Sequence, residues 1–541
     1  MRSKPNQSFR PGLATRFTAI TLGLAAWLLA SHDARASFGA TASNGGFICD
    51  TGGGLVFTVD SAGDIPSIKV NGTELNMTTE ASCIGSGFGA TSVTSSAIGG
   101  YRWKITCVNG DSTQYYLFES GVNIIYMATY AGHDTEWRFI PRLNNALFKT
   151  IPQCSDYTPG GTAIDSVDTI IITNKSSSYY GNTVSKYFGN RQMMTDTSHS
   201  VSGSGGTATM WMGNRETSSG GPFFRDIQVS AGSTGSNPYN YMKSGHAQTE
   251  AFRQGLNGVY ALSFGGTPDF TIWDPAAMQG WVTAAGRGTV VLNGLSGMNN
   301  NFVYTIGFAN ANAQYWSAAS STGASTCGGM KPGTYTMTVY KGELAVWTGS
   351  VTVTAGNTTT LHTQTITGDP STASAIWRLG DWDGKPSEFM NAANCLTMHP
   401  SDHRLSSWGP KTVSSSSPGS WPCYMFRDVN SGCKITFNLT SGQVAAHTVR
   451  IGLTAAEYGG RPQIKVNAWT SPDPGSSTQP ASRVMTIGTY RGNNVTYTYD
   501  VPASAFVSGA NTLQVDCISG SSSTYVYESP QISFDCIDLL N

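Results

Sequence analysis

Polar and apolar side chains alternate at a period of two in segment after segment of this chain, and that alternation limits its fold more than any other feature. Thr334 to Tyr340 (TYTMTVY) and Ser350 to Gly356 (SVTVTAG) are clear cases, each next to glycine or asparagine turns. A period of two puts successive side chains on opposite faces of a strand. One face is then apolar and needs a second layer to cover it. Long runs of helical periodicity are missing, and glycine supplies 63 of the 541 residues, as many short strands joined by tight turns require. The class read from this pattern is all-β, built as packed sandwiches.

Composition divides the chain further. Residues 1–36 read as a secretory signal: Arg2, Lys4, Arg10 and Arg16 flank or precede the apolar run Phe17 to Ala30, and Ala34-Arg35-Ala36 has the small-x-small form of a cleavage site. The apolar run is short for a membrane span, and no later stretch reaches spanning length, so a secreted, extracellular protein is expected. Residues 37–280 carry short strands, many aromatics and no internal repeat, which suggests one large sandwich. Residues 281–367 hold regularly spaced strands (FVYTIGFA, QYWSA, LAVWTG) suited to a fibronectin type III-like sandwich. A Gly368 to Thr372 linker follows. Residues 373–541 return to alternation in KITFNLT, TVRIGLT and VTYTYDV, a jelly-roll candidate of the carbohydrate-binding kind. With 12% charged residues and a net charge of −1, the chain lacks the broad basic surface of a nucleic-acid binder. A polyanionic substrate remains compatible, because a groove needs only a local cluster of cations.

Few residues stand out for chemistry. His246, in NYMKSGHAQTE, is one of eight histidines and carries the side chain best suited to proton transfer near neutral pH. In WRFIPRL, alternation places Arg138 on one strand face and Phe139 on the other, where the arginine either pairs structurally or grips a uronate carboxylate. Lys186 in VSKYFGNRQ reads by composition as a solvated lysine, and Lys243 as a groove cation or another solvated one. IGSGFG at Ile84 reads as a tight turn, and Asp381 and Asp383 around Trp382 as an Asx-turn loop. Among the ten cysteines, Cys83 with Cys107 and Cys423 with Cys433 are the preferred disulfides, while Cys517 and Cys536 either pair or stay buried thiols. No G-x-S-x-G, H-E-x-x-H, Walker or C-x-x-C signature occurs.

Taken together, an ordered series of stretches resembles the fungal-type rhamnogalacturonan lyases of polysaccharide lyase family 4. The series runs through IGSGFG, MATY, RFIPRLN, GTAID, SKYFGNR, SSGGPFFRDI, YMKSGHAQTE and GLNGVY. It continues with MKPGTYTM, W-D-G-x-P, NAANCLTMHPSD, SSWGP, GGRPQ and FDCIDL, covering essentially the whole chain after residue 36. The resemblance implies a galactose-mutarotase-like supersandwich with catalytic function, a fibronectin type III-like domain and a jelly-roll resembling a carbohydrate-binding module. It places catalytic roles on Lys186, His246 and Arg138, and implies substrate contacts by Tyr239, Tyr241, Arg142, Arg191, Arg225 and Glu250. One departure is Phe224, where the family pattern suggests a histidine.

The implied reaction is β-elimination at the α-1,4 rhamnose–galacturonate linkage of rhamnogalacturonan I. The implied partner is that polysaccharide, with neither nucleic acid nor membrane, and a monomer is expected. Sequence leaves open which of Lys186 and His246 takes the proton. No cofactor is required by this scheme, and a structural calcium in a flanking domain is left open. A second reading is a non-catalytic pectin-binding protein on the same scaffold. A third, a glycoside hydrolase, needs two carboxylates flanking the bond, and no obvious pair is present.

Overall fold

A computed structural model describes residues 38–150, 160–165, 169–188, 191–232, 235–245, 250–476, 479, 494–520 and 525–541. The signal-like segment and His246 lie outside those residues. The described chain is all-β, and its one α-helix among them is the four-residue Arg427–Asn430.

The first body packs a five-stranded sheet, in chain order from Gly39–Ser43 to Thr73–Glu74, against a seven-stranded antiparallel sheet. The seven run in the order Ser198–Gly203, Gly206–Trp211, Gly255–Ser263, Ile124–Ala131, Ser112–Glu119, Arg102–Asn109, Ser92–Ile98. Phe57, Ile105, Tyr116, Phe118 and Met127 fill the space between the sheets. The opposite face of the larger sheet is covered too, by Trp273 and Ala276 of the 3-10 turn Thr271–Ala276, which meet Tyr115, Leu117 and Tyr126. A strand buried on both faces has no need of a polar side. That is why Ser112–Glu119 is buried along nearly its whole length instead of at every second residue, with Tyr115 to Phe118 consecutive and apolar.

Two small sheets at the margin of this body carry the candidate residues. In one, Trp137–Ile140 lies between Asn240–Lys243 and Cys83–Ile84. In the other, Gly161–Asp165, Thr169–Ile172 and Thr183–Ser185 form a hairpin sheet that ends just before Lys186. IGSGFG is the tight turn its glycines suggest, with Gly85 at φ +61° and Gly87 at φ +133°.

The second body is a sandwich of three strands facing four, and its Gly333–Lys341 strand buries Tyr335, Met337 and Val339 while the intervening threonines stay outside. The third places two five-stranded sheets over a shared core that includes Ile435, Ile451, Ile464, Leu513 and Ile537. Asp383 forms the expected Asx turn, accepting from the Lys385 N–H at 3.0 Å. Trp382 is buried, donating from its indole to Asp538 at 3.0 Å under the Arg450 guanidinium.

The disulfide expectation is corrected. All nine described cysteines are buried free thiols. Cys83 lies in the small marginal sheet and Cys107 faces the main core, so their strands belong to different sheets. The neighbour of Cys423 is Cys395, 3.6 Å away between sulfurs, while Cys433 donates to the Asn430 carbonyl.

Buried ion pairs join the bodies. Glu216 of the first receives Arg287 at 2.7 Å, Lys331 at 3.0 Å and the Tyr315 hydroxyl at 2.5 Å. Lys341 grips Asp369 of the linker at 2.5 Å with both groups buried. Burial alone would raise the Glu216 carboxyl, but Arg287 and Lys331 hold it down to about 2, against an ordinary 4.5. Between those values the unfolded chain binds a proton that the folded chain refuses, so stability is present above the unfolded pKa and is lost as pH falls through this interval. The displacement corresponds to about 3 kcal/mol. Urea midpoints of wild type and Glu216→Gln, compared from about pH 6 to about pH 3, should therefore fall less steeply for the variant.

Candidate active site

Strand alternation does to Arg138 what the sequence suggests. Trp137 and Phe139 turn into the sandwich core and Arg138 turns away from it. Directly across the ladder stands Tyr241, whose hydroxyl accepts from the Arg138 Nη1 at 2.9 Å. Glu136 pairs with the same nitrogen at 2.9 Å, and the arginine side chain is 28% exposed. Burial disfavours the guanidinium's charge, but Tyr241 and Glu136 outweigh it and shift its pKa upward. Its Nε is buried without a hydrogen-bond partner among the described residues. The group is a fixed cation with unused donors.

Tyr241 belongs to an apolar cluster with Ile140, Tyr187, Ile227 and Tyr239. The rings of Tyr239 and Tyr241 lie 5.4 Å apart, and the Tyr239 hydroxyl is 2.8 Å from Ser230 Oγ. Burial, with Asp226 adding to it, raises the Tyr241 phenol well above its ordinary range, so it stays protonated. Lys186 reaches this cluster through its neighbour: its ammonium lies 5.6 Å from the centre of the Tyr187 ring. The turn that presents it closes with the Phe188 N–H on the Ser185 carbonyl at 3.1 Å. Arg138, Tyr239, Tyr241 and Lys186 are thus brought together around one tyrosine cluster, and Arg191 lines the same small cavity as Tyr239, Tyr241 and Asp226. Phe224, at the departure from the family pattern, is buried and lines that cavity as well.

Three expected substrate contacts have protein partners. Arg142 pairs with Glu80 at 3.2 Å. Arg225 faces Glu343 of the second body at 3.8 Å, and Gln192 donates to that same carboxylate at 2.5 Å. Glu250 accepts from the Gly220 N–H and pairs with Arg253 at 3.4 Å, at the junction with the second body.

One group carries no signal singled out in the sequence. His199 is buried, with Nε2 2.7 Å from the Tyr239 carbonyl and Nδ1 3.2 Å from Asp196, which Arg215 also holds at 2.7 Å. Burial works against the Asp196 charge, yet His199 and Arg215 lower its pKa to about 2. The Asp-x-x-His spacing of Asp196 and His199 was the available signal. Of the two readings of Lys243, groove cation or solvated lysine, the solvated one is corrected. It is 1% exposed, packs 6.0 Å from the Phe252 ring centre, and its amine has no hydrogen-bond partner among the described residues. Burial lowers its pKa to about 8, with Asp134 opposing the shift.

Comparison with known proteins covers most of the described chain. Residues 38–279 match the family model described as rhamnogalacturonan lyase B, N-terminal. Residues 277–361 match polysaccharide lyase family 4, domain II, and residues 375–539 match domain III of the same family. The chain is 42% identical over 522 residues to rhamnogalacturonate lyase A of Aspergillus aculeatus, covering 94% of this chain and 97% of that protein. It is 40% identical over 534 residues to rhamnogalacturonate lyase A of Emericella nidulans, covering 96% and 99%.

The buried amine of Lys243 makes stability depend on pH. The unfolded lysine keeps its proton to about 10.5 and the folded one gives it up near 8, so below about pH 8 the charged amine weakens the fold. Lys243→Met should raise unfolding free energy near neutral pH by up to about 3 kcal/mol. The gain should fade as pH climbs through the folded pKa toward the unfolded one, as read by chemical denaturation at a series of pH values.

Proposed function

The chain belongs to polysaccharide lyase family 4, and on that premise we propose that it is a secreted rhamnogalacturonan endolyase. It acts on the α-1,4 rhamnose–galacturonate bond of rhamnogalacturonan I and leaves an unsaturated galacturonate at the new non-reducing end. The observation that carries this reading is the Arg138–Tyr241 pair set against the tyrosine cluster that Lys186 adjoins. Among the described residues, no helix is long and apolar enough to cross a membrane.

Elimination removes the proton on carbon 5 of galacturonate, next to the carboxylate, and expels oxygen 4 with its rhamnose. Taking that proton builds enolate charge on a carboxylate that is already negative. A fixed cation beside it offsets the new charge at the moment it develops, with little reorganisation. Arg138 has that role in the proposal, held in place by Tyr241 and Glu136 with further donors to offer. Lys186 takes the carbon 5 proton as the base. His246, three residues beyond the Asn240–Lys243 strand, returns a proton to the departing oxygen. Tyr239 and Tyr241 shape the floor beneath the sugar, where aromatic faces meet the apolar faces of pyranose rings. Charge compensation rests with Arg138, so the scheme asks for no cofactor, and a monomer contains every named group.

The test is ultraviolet absorbance of a rhamnogalacturonan I digest. A conjugated double bond gives rising absorbance with wild-type protein, and Lys186→Ala and His246→Ala each reduce the rate by about 10²–10⁴-fold. New reducing ends without absorbance would mean hydrolysis. Binding with neither signal would mean the groove only recognises pectin.

A further inference from the structure

Beside the turn that presents Lys186 lies a cleft of about 540 Å³ with walls from two bodies. Tyr179, Val184, Ser185 and Phe188 come from the first body, Met398 and Arg404 from the third. The volume falls within the range of about 300–1,000 Å³ typical of small-ligand sites. Its walls are fastened to each other. Asp402, buried, accepts from the Thr183 N–H at 2.7 Å and from the Thr183 hydroxyl at 2.9 Å. The His399 N–H donates to the Thr183 hydroxyl oxygen at 3.0 Å, and the His403 N–H to the Gly181 carbonyl at 3.1 Å. The strand that runs into Lys186 is therefore clamped by the third body, and the cleft is present before any ligand arrives.

The lining has two chemical characters. Ile172, Val184, Phe188 and Met398 make an apolar surface. At its margin, Arg404 commits Nε and Nη2 to Asp402 at 2.7 and 2.6 Å, leaving Nη1 without a partner among the described residues. Tyr179 stands 61% exposed at the cleft, with its ring open to a ligand. An apolar patch, an open aromatic face and an anchored guanidinium form a set suited to one sugar pair. A deoxy-sugar methyl fits the apolar surface, a pyranose face stacks on the tyrosine, and a uronate carboxylate meets the guanidinium.

We propose that this cleft is an outer subsite for a rhamnose–galacturonate pair of the same polysaccharide, so that the third body takes part in substrate recognition. The proposal rests on the lyase reading above, with continuity supplied by Ser185 and Phe188, which flank the Lys186 position and line the cleft. Ordering a longer stretch of polymer across two bodies would act on binding of long chains and leave the bond-breaking groups untouched.

Tyr179→Ala is the first variant to make, because the tyrosine ring holds neither Thr183 nor Lys186; Arg404→Gln and the conservative Tyr179→Phe accompany it. For Tyr179→Ala and Arg404→Gln, KM on long rhamnogalacturonan should rise at least about fivefold more than KM on the shortest cleavable oligosaccharide, with Tyr179→Phe close to wild type. Equal losses on both lengths would mean a loosened Lys186 turn, and no change on either would mean an unused cleft; each overturns the proposal. Titration of Lys186→Ala protein with long oligosaccharides, with and without Tyr179→Ala, reads the subsite without turnover. An absent absorbance signal from wild type would sink the lyase reading, whereas an unaltered Kd in this titration would sink the subsite alone.

Discussion

A carboxylate buried between two domains has to be paired, and Glu216 shows how much of this molecule hangs on that requirement. Removing a charge from water costs several kcal/mol, and only well-placed partners offset it. Arg287, Lys331 and Tyr315 all come from beyond the first sandwich, so Glu216 is satisfied only when the neighbouring sandwich is in place. The same logic recurs at the linker. Lys341 of the second body holds Asp369, Arg450 of the third donates to the Pro370 carbonyl at 2.8 Å, and Arg378 donates to Ser371 and Ala373. The five-residue Gly368 to Thr372 linker is tied on both sides.

The candidate active site uses this rigidity without being part of it. Its groups sit on short marginal strands and the turns beyond them, while the wide sheets behind are filled with apolar side chains on both faces. Functional side chains on segments anchored to a stiff framework can be held in place while remaining open to a polymer. Arg138 illustrates the division: one residue earlier or later in its strand, the side chain belongs to the core.

Much of this was legible in the sequence, and the reasons differ from residue to residue. Alternation in TYTMTVY specified which side chains of Gly333–Lys341 are buried, because a half-covered sheet imposes a period of two. The same rule separated Arg138 from Phe139. Ser112–Glu119 was harder, since a strand covered on both faces loses its period. Long-range pairing was not legible. Nothing near Glu343 announces Arg225 or Gln192, and nothing near Asp402 announces Thr183, because those contacts depend on how separate sandwiches dock. Lys243 misled for a related reason: lysines are almost always solvated, and only the packing around it shows an exception. The disulfides failed because nearness in sequence says little about which sheet a cysteine joins.

The last sheet has a consequence in time. Its Gln531–Leu540 strand pairs with Ala375–Gly380, His447–Glu457 and Tyr424–Phe426, so it lies at the centre of its sheet, not at an edge. On a ribosome, the strands on either side of it must wait until it has been made before their ladders can close. The loop that carries Asp402 is fastened to that sheet's body, and it clamps the strand running into Lys186. The first sandwich can assemble its core early in synthesis, but the lysine turn gains its support from Asp402, translated 219 residues after the Thr183 it holds. Assembly order therefore makes the site one of the last things to be finished.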